Sequence, residues 1–329
     1  MAHFFWTPSD RQAVGAALLA VVGLLLASAL LPPQQTAPQK DTPPPPEPAL
    51  SRDSTRTVRL LQEDGTVAVL SMGDYLWGVV AAEMPASFQP EALKAQACAA
   101  RTYTLTRSGK HPEADVCTDS HCCQAYITRE AALERWGKNG PEYAQKIAAA
   151  VAETDGLGIL YEGKPIQALF FSSAPGQTVD AVEVWGTSVS YLKSVKSPEG
   201  SEVPNYQSRV VLSPTKVREA ALAAWPDMEL SGDPAGWFTD LSRSPSGSVA
   251  SLKLGGVALT GGQVRKLFSL RSAAFTPEYD GRDFVFQVVG HGHGVGMSQY
   301  GANAMAAQGA GFREILQWYY TGVEVALLW

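Results

Sequence analysis

The sequence predicts a mixed α+β fold, mainly antiparallel sheet with packed helices, preceded by an N-terminal transmembrane helix and a proline-rich linker. Three observations predict it. Short apolar runs flank tight-turn residues, capped helical runs lie between them, and one long uncharged apolar run stands near the amino terminus. With 329 residues and 45% hydrophobic content the chain can bury a sizeable core. Its 26 Lys and Arg against 32 Asp and Glu give no basic footprint for nucleic acid, and the net charge of -6 bears mostly on solubility.

The apolar run covers residues 13–31, carries no charge and stops at Pro32-Pro33, long enough to cross a bilayer as a helix. Arg11 is offset by Asp10, so flanking charge orients it weakly. Ala27-Ser28-Ala29 suits a signal peptidase, but the length of the run favours a retained single-pass anchor in the cell membrane. Residues 32–50, with Pro43 to Pro46 among them, read as a semi-rigid polyproline spacer. Three segments follow: a cytoplasmic stub and anchor (1–31), the linker (32–50), and one extracytoplasmic domain (51–329).

Within that domain, residues 57–61 and 66–70 read as a hairpin around Glu63-Asp64-Gly65. A helix follows, with Asp74 as its expected cap, an apolar body over 75–82 and a stop at Pro85. Pro90 opens a second, alanine-rich helix through Tyr103. On it Lys94, Ala97, Cys98 and Arg101 share one stripe, where two cations accompany small residues. A further helix is expected over 143–153, a hairpin over 158–171 around Glu162-Gly163-Lys164, mixed strand and helix over 208–270, and a strand over 285–289. A short aromatic helix over 312–320 closes the fold.

Glu83 stands at the carboxyl end of the first helix after Val79-Val80-Ala81-Ala82, where the helix dipole and apolar neighbours both favour the neutral acid. That is the state a general acid needs. Cys117, Cys122 and Cys123, with His111, can supply a tetrahedral zinc, and His121 is a substitute ligand. A disulfide from Cys117 to Cys122 or Cys123 competes with this reading in an exported domain. Cys98 reads as a small buried apolar residue. The segment Gly290-His291-Gly292-His293-Gly294-Val295-Gly296 omits side chains where a ligand or another chain segment must approach closely. On an extended backbone His291 and His293 would share a face.

Three stretches in this order resemble the stage II sporulation protein D family: Tyr75 to Pro85, Glu91 to Tyr103, and His291 to Ala302. The likeness runs over residues 57–322 and takes in Cys123-Gln124-Ala125-Tyr126, Val184-Trp185-Gly186 and Tyr191-Leu192. Two places depart from the family pattern. Cys122-Cys123 replaces a His-Cys pair, and Phe171-Ser172-Ser173-Ala174-Pro175-Gly176-Gln177-Thr178 lacks the histidine and one glycine of His-Ser-x-x-Gly-Gly-x-Thr.

The resemblance implies a membrane-anchored peptidoglycan lytic transglycosylase of endospore formers, acting during engulfment on glycan strands whose stem peptides a partner amidase has removed. It implies Glu83 as catalytic acid, a structural zinc whose matching ligands are His111, Cys117 and Cys123, with Cys122 in the place of the family's histidine, and no organic cofactor. Lys94, Gln96 and Arg101 are expected in the cleft. Tyr126, Ser172, Ser173, His291, His293, Gln299 and Tyr300 are further expected sugar contacts, and the cell-wall amidase and other engulfment proteins are expected partners. One carboxyl suffices for such chemistry, because the sugar's own 6-hydroxyl replaces water as nucleophile. Two alternatives are a wall-binding module that recruits or activates an amidase, and a zinc-dependent peptidoglycan hydrolase.

Overall fold

The computed structural model describes residues 51–107 and 110–329. The expected anchor and spacer lie outside these residues. Among the described residues, no helix is long and apolar enough to cross a membrane.

The fold is mixed α+β with mainly antiparallel sheets. Strands β1 (Thr57–Leu61) and β2 (Val67–Ser71) form the expected hairpin, and the short β3 (Val116–Cys117) joins β1 in parallel. Helix α1 (Met72–Glu83) starts earlier than its sequence suggests: the Ser71 hydroxyl, not Asp74, caps it by accepting the Asp74 N–H at 3.0 Å. Helix α2 (Pro90–Arg107) runs through the middle of the core, with Ala92, Ala95, Ala97, Ala99 and Ala100 fully buried. Its small side chains let α1, α4 (Gly140–Glu153) and β4 (Leu157–Tyr161) pack closely on it. The shorter α3 (Arg129–Trp136) packs on α4.

The hairpin expected over 158–171 is shorter than its sequence suggests. Only β5 (Lys164–Pro165) folds back on β4; Pro165 has no N–H to extend the ladder. The chain then departs, and β6 (Phe170–Phe171) instead pairs in parallel with β13 (Met297–Ser298), far along the sequence. Between them lies helix α5 (Ala181–Trp185), capped by Asp180.

A second hydrophobic core fills the stretch with mixed signals. It holds one antiparallel sheet, β11 (Phe275–Tyr279), β12 (Phe284–Val289) and β7 (Gln207–Leu212), and another, β10 (Val257–Leu259), β9 (Val249–Leu254) and β8 (Phe238–Arg243). Helices α6 (Pro214–Ala224) and α7 (Gly261–Leu267) contribute Val217, Ala221 and Val264 to it, beside Phe275, Phe284 and Phe286. The chain then returns to the first core. Helices α8 (Gln299–Ala307) and α9 (Phe312–Tyr319) pack on α2, and β14 (Glu324–Leu327) pairs with β4.

Candidate active site

Glu83 is the last residue of α1, and the chain turns away through Met84 and Pro85, leaving its carboxyl in a groove of about 600 Å³. Its Oε1 accepts the Ala125 N–H at 2.8 Å and its Oε2 accepts the Gln299 amide at 3.2 Å. Burial raises its pKa above the ordinary carboxylate value, and these two donors pull the other way. Of the described residues that line the groove, Glu83 is the sole carboxyl.

The glycine-rich segment is not an extended strand. Gly290, Gly292, Gly294 and Gly296 all have positive φ, and the ligand it approaches closely is its own chain. A Cβ at Gly292 would lie 2.6 Å from Cβ of Phe171, and one at Gly296 would lie 2.1 Å from the Leu169 carbonyl oxygen. These approaches press the segment against β6 and set both histidines in the groove wall.

The two histidines have different surroundings. His293 accepts the Val295 N–H on Nδ1 at 3.2 Å, so its proton resides on Nε2 and points to the Phe170 carbonyl at 3.1 Å. Burial pushes it down to about 4, and with both nitrogens engaged it holds backbone in place. His291 accepts from Arg271 on Nδ1 at 3.0 Å, which leaves its proton on Nε2, unpartnered among the described residues. Burial and then the Arg271 and Arg265 charges hold it below its ordinary value, so it is a neutral donor at pH 7.

Gln299 and Ser172 also line the groove; Ser172 offers its carbonyl to the Tyr300 N–H at 3.0 Å. Ser173, Tyr126 and Tyr300 do not line it. Ser173 is buried in a backbone bridge to His291, Tyr126 stacks on Tyr75 over Gly78, and Tyr300 packs edge-on against Phe88.

The cation stripe of α2 lies elsewhere too. Arg101 is fully buried, donating to Asp53 at 2.5 Å through Nη2 and to the Leu157 carbonyl at 2.7 Å through Nη1. Small residues on that face let the start of the domain and β4 close over the guanidinium. Lys94 bridges Glu91 and Glu153, each at 2.6 Å, and so ties α2 to the end of α4. Gln96 is buried in the core away from the groove, its amide atoms without protein partners among the described residues.

His111, Cys117, Cys122 and Cys123 bring one ligand atom each within 4.8 Å of one another. His111 Nε2 stands 3.7 Å from Cys122 Sγ and 3.6 Å from Cys123 Sγ. A tetrahedral zinc spaces such ligands about 3.5–3.8 Å apart, and thiolate with imidazole is its preferred donor set. Those two spacings and this donor set suit zinc, and the cluster as a whole could hold a metal ion. His121 is excluded from the cluster: its side chain is 95% exposed and pairs with Asp119. All four cysteines are free, so neither disulfide is formed, and Cys98 is fully buried as expected. The cluster abuts the acid, since Ala125, two residues after Cys123, donates to Glu83.

Several groove residues escaped the sequence reading as site residues. Trp185 is 50% exposed and lines the groove beside Val184, an apolar wall that α5 holds out from the core. Tyr103, Arg107 and Arg265 also line it. Tyr103 ends the motif that opens at Glu91 and Arg107 follows it on the same helix, whereas Arg265 lies in a stretch with no motif to mark it.

A family model described as Stage II sporulation protein matches residues 62–161. The chain is 36% identical over 286 residues to stage II sporulation protein D of Bacillus amyloliquefaciens, covering 85% of this chain and 81% of that protein. The chain belongs to the stage II sporulation protein D family. The protein of that name from Bacillus subtilis (strain 168) is 35% identical over 79% of this chain and 76% of its own length. The amidase enhancer of Bacillus subtilis (strain 168) is 28% identical over 76% of this chain, which spans 40% of that larger protein. Family membership thus extends well beyond the matched model, across both cores.

Proposed function

We propose that this protein is a lytic transglycosylase of peptidoglycan, acting in endospore formation with Glu83 as its acid and then its base. The observation that carries the reading is a groove in which Glu83 is the single carboxyl among the described lining residues. Release of a glycan to water normally takes two carboxylates, whereas intramolecular attack by the 6-hydroxyl takes one.

The surroundings of Glu83 suit both steps. Burial favours the protonated acid, which donates to the oxygen between muramic acid and glucosamine as that bond breaks. The resulting carboxylate is held by the Ala125 N–H and the Gln299 amide. It then takes the proton of the 6-hydroxyl as that oxygen closes on the anomeric carbon, which gives a 1,6-anhydro end and restores the acid. Trp185 offers a face for a sugar ring, and His291 Nε2–H and the Ser172 region offer polar contacts. His111, Cys117, Cys122 and Cys123 would hold a structural zinc. Four protein ligands leave it no open position, so it would supply a clamp on the segment that carries Ala125.

By this reading residues 1–31 anchor the protein in the cell membrane, residues 32–50 space the domain from it, and a cell-wall amidase supplies the substrate. The relative named amidase enhancer supports a second reading, a wall-binding module that activates an amidase.

The test incubates the full-length protein and Glu83→Gln with peptide-free glycan strands, with products read by mass spectrometry. Anhydro ends from the wild type are expected, reduced 10²–10⁴-fold or more in the variant. Reducing ends would mean a hydrolase with another carboxylate. Binding by both proteins without cleavage would favour the amidase-activating module.

A further inference from the structure

Among the described residues, Arg265 is the one lysine or arginine that lines both the groove and a side cavity of about 90 Å³ beside it. It projects from α7 of the second core. Its Nε donates to the Arg271 carbonyl at 3.2 Å, the same carbonyl that accepts the Gly292 N–H at 2.9 Å, so its root is fixed to the glycine-rich wall. The rest of its guanidinium has no protein hydrogen-bond partner among the described residues. Arg271 stands behind, one N–H on His291 and its buried Nε unpaired. No carboxylate among the described residues lies within 4.0 Å of either arginine. Glu183, the acid in the side cavity, accepts instead from Ser246.

A partly buried arginine is ordinarily paired, because removing a guanidinium from water is costly. Two adjacent arginines with no carboxylate against them make a positive pocket; burial first and then the Arg271 and Arg265 charges hold His291 below its ordinary value, and burial and then Arg265 do the same for His293. A cavity needs roughly 10–15 Å³ per water-sized group, so about 90 Å³ admits an acid substituent of some half-dozen heavy atoms.

We propose that Arg265, backed by Arg271, is a carboxylate subsite that reads the free lactyl acid on muramic acid. The inference rests on the glycan-cleaving reading of the groove and deepens it. Muramic acid carries a three-carbon lactyl ether at O3, whose carboxyl is a free anion on a bare strand and a neutral amide where a stem peptide is attached. The planar guanidinium fork matches both oxygens of a carboxylate and its charge, whereas an amide offers it a single uncharged oxygen and so a weaker bond. Specificity for bare strands then follows from charge at the sugar, not only from the bulk of the peptide.

Carboxylates also occur within stem peptides, so the test uses three substrates with the full-length protein: bare strands, bare strands whose lactyl carboxyls are converted to methylamides, and peptide-bearing strands. The wild type is expected to favour bare over methylamide strands by roughly 10- to 100-fold in kcat/KM. In Arg265→Gln that ratio is expected to fall toward one, and in Arg265→Lys to lie between, with thermal unfolding used to verify the fold of each. Equal treatment of the two strands by the wild type would overturn the proposal, as would a ratio unchanged in Arg265→Gln. A preference for peptide-bearing strands that Arg265→Gln abolishes would assign the subsite to peptide carboxylates and also overturn it. Should the wild type cleave nothing, the glycan-cleaving reading fails separately. The Kd of Glu83→Gln for bare and methylamide strands then decides the subsite, equal values overturning it.

Discussion

Glu83 is pulled in two directions by its immediate surroundings, and that opposition gives a prediction at the scale of one residue. Burial raises its folded-state pKa, so ionising it costs the folded protein free energy. For an acid raised in this way, the cost is absent below the unfolded-state value and grows as the pH rises through the folded-state one. Glu83→Gln removes the ionisation. It is therefore expected to melt above the wild type at pH 7, with the difference closing as the pH falls below the ordinary carboxylate range. A wild type that is the more stable at pH 7 would show that the Ala125 and Gln299 donors outweigh burial. The raised acid was legible in the sequence, since a helix end, an apolar run and a following proline are local features. The donors that oppose it were not: Ala125 and Gln299 are 42 and 216 residues away.

At the scale of elements, the same division recurs. Hairpin β1–β2 and helices α1, α2, α4 and α9 were readable because capping residues, prolines and periodicity are written within each segment. What each face meets is not. The sequence places Lys94 and Arg101 of that stripe in the cleft, yet Asp53 pairs with a buried Arg101 from 48 residues away. Asp53 is held in turn, its N–H donating to Asp155 at 2.8 Å and its carboxylate accepting the Gly156 N–H at 3.3 Å. Arg101→Met leaves the Asp53 charge buried without its cation, at an expected cost of about 3–5 kcal/mol in unfolding free energy. Adding Asp53→Asn is expected to recover a sizeable part of that loss, because the stranded charge disappears. Chemical denaturation of the single and double variants measures both. Additive losses in the double variant would mean that the pair does not act as a unit.

Across the whole molecule, the groove is a product of chain return. Glu83 comes from the first core, Arg265 from the second, and Gln299 and the histidines from the segment that joins the second core back to the first. The sequence marks the glycines but not what they face, and the partner turns out to be β6 and its flanks. Gly296 is the tightest such approach after Gly301. Its φ is +80°, and an added methyl would meet the Leu169 carbonyl oxygen at 2.1 Å, a backbone atom that cannot rotate aside. Gly281 supplies the control, with φ of +90° and open space around its missing side chain. Gly281→Ala is expected to cost about 1 kcal/mol, the penalty of left-handed backbone alone. Gly296→Ala adds the clash and is expected to cost roughly 2–4 kcal/mol in all. It should also lower turnover in the protein that remains folded, since Gln299 follows three residues later on the same displaced segment. Equal losses at the two glycines would mean that the seam is loose, and that contact with β6 does not set the position of Gln299 against Glu83.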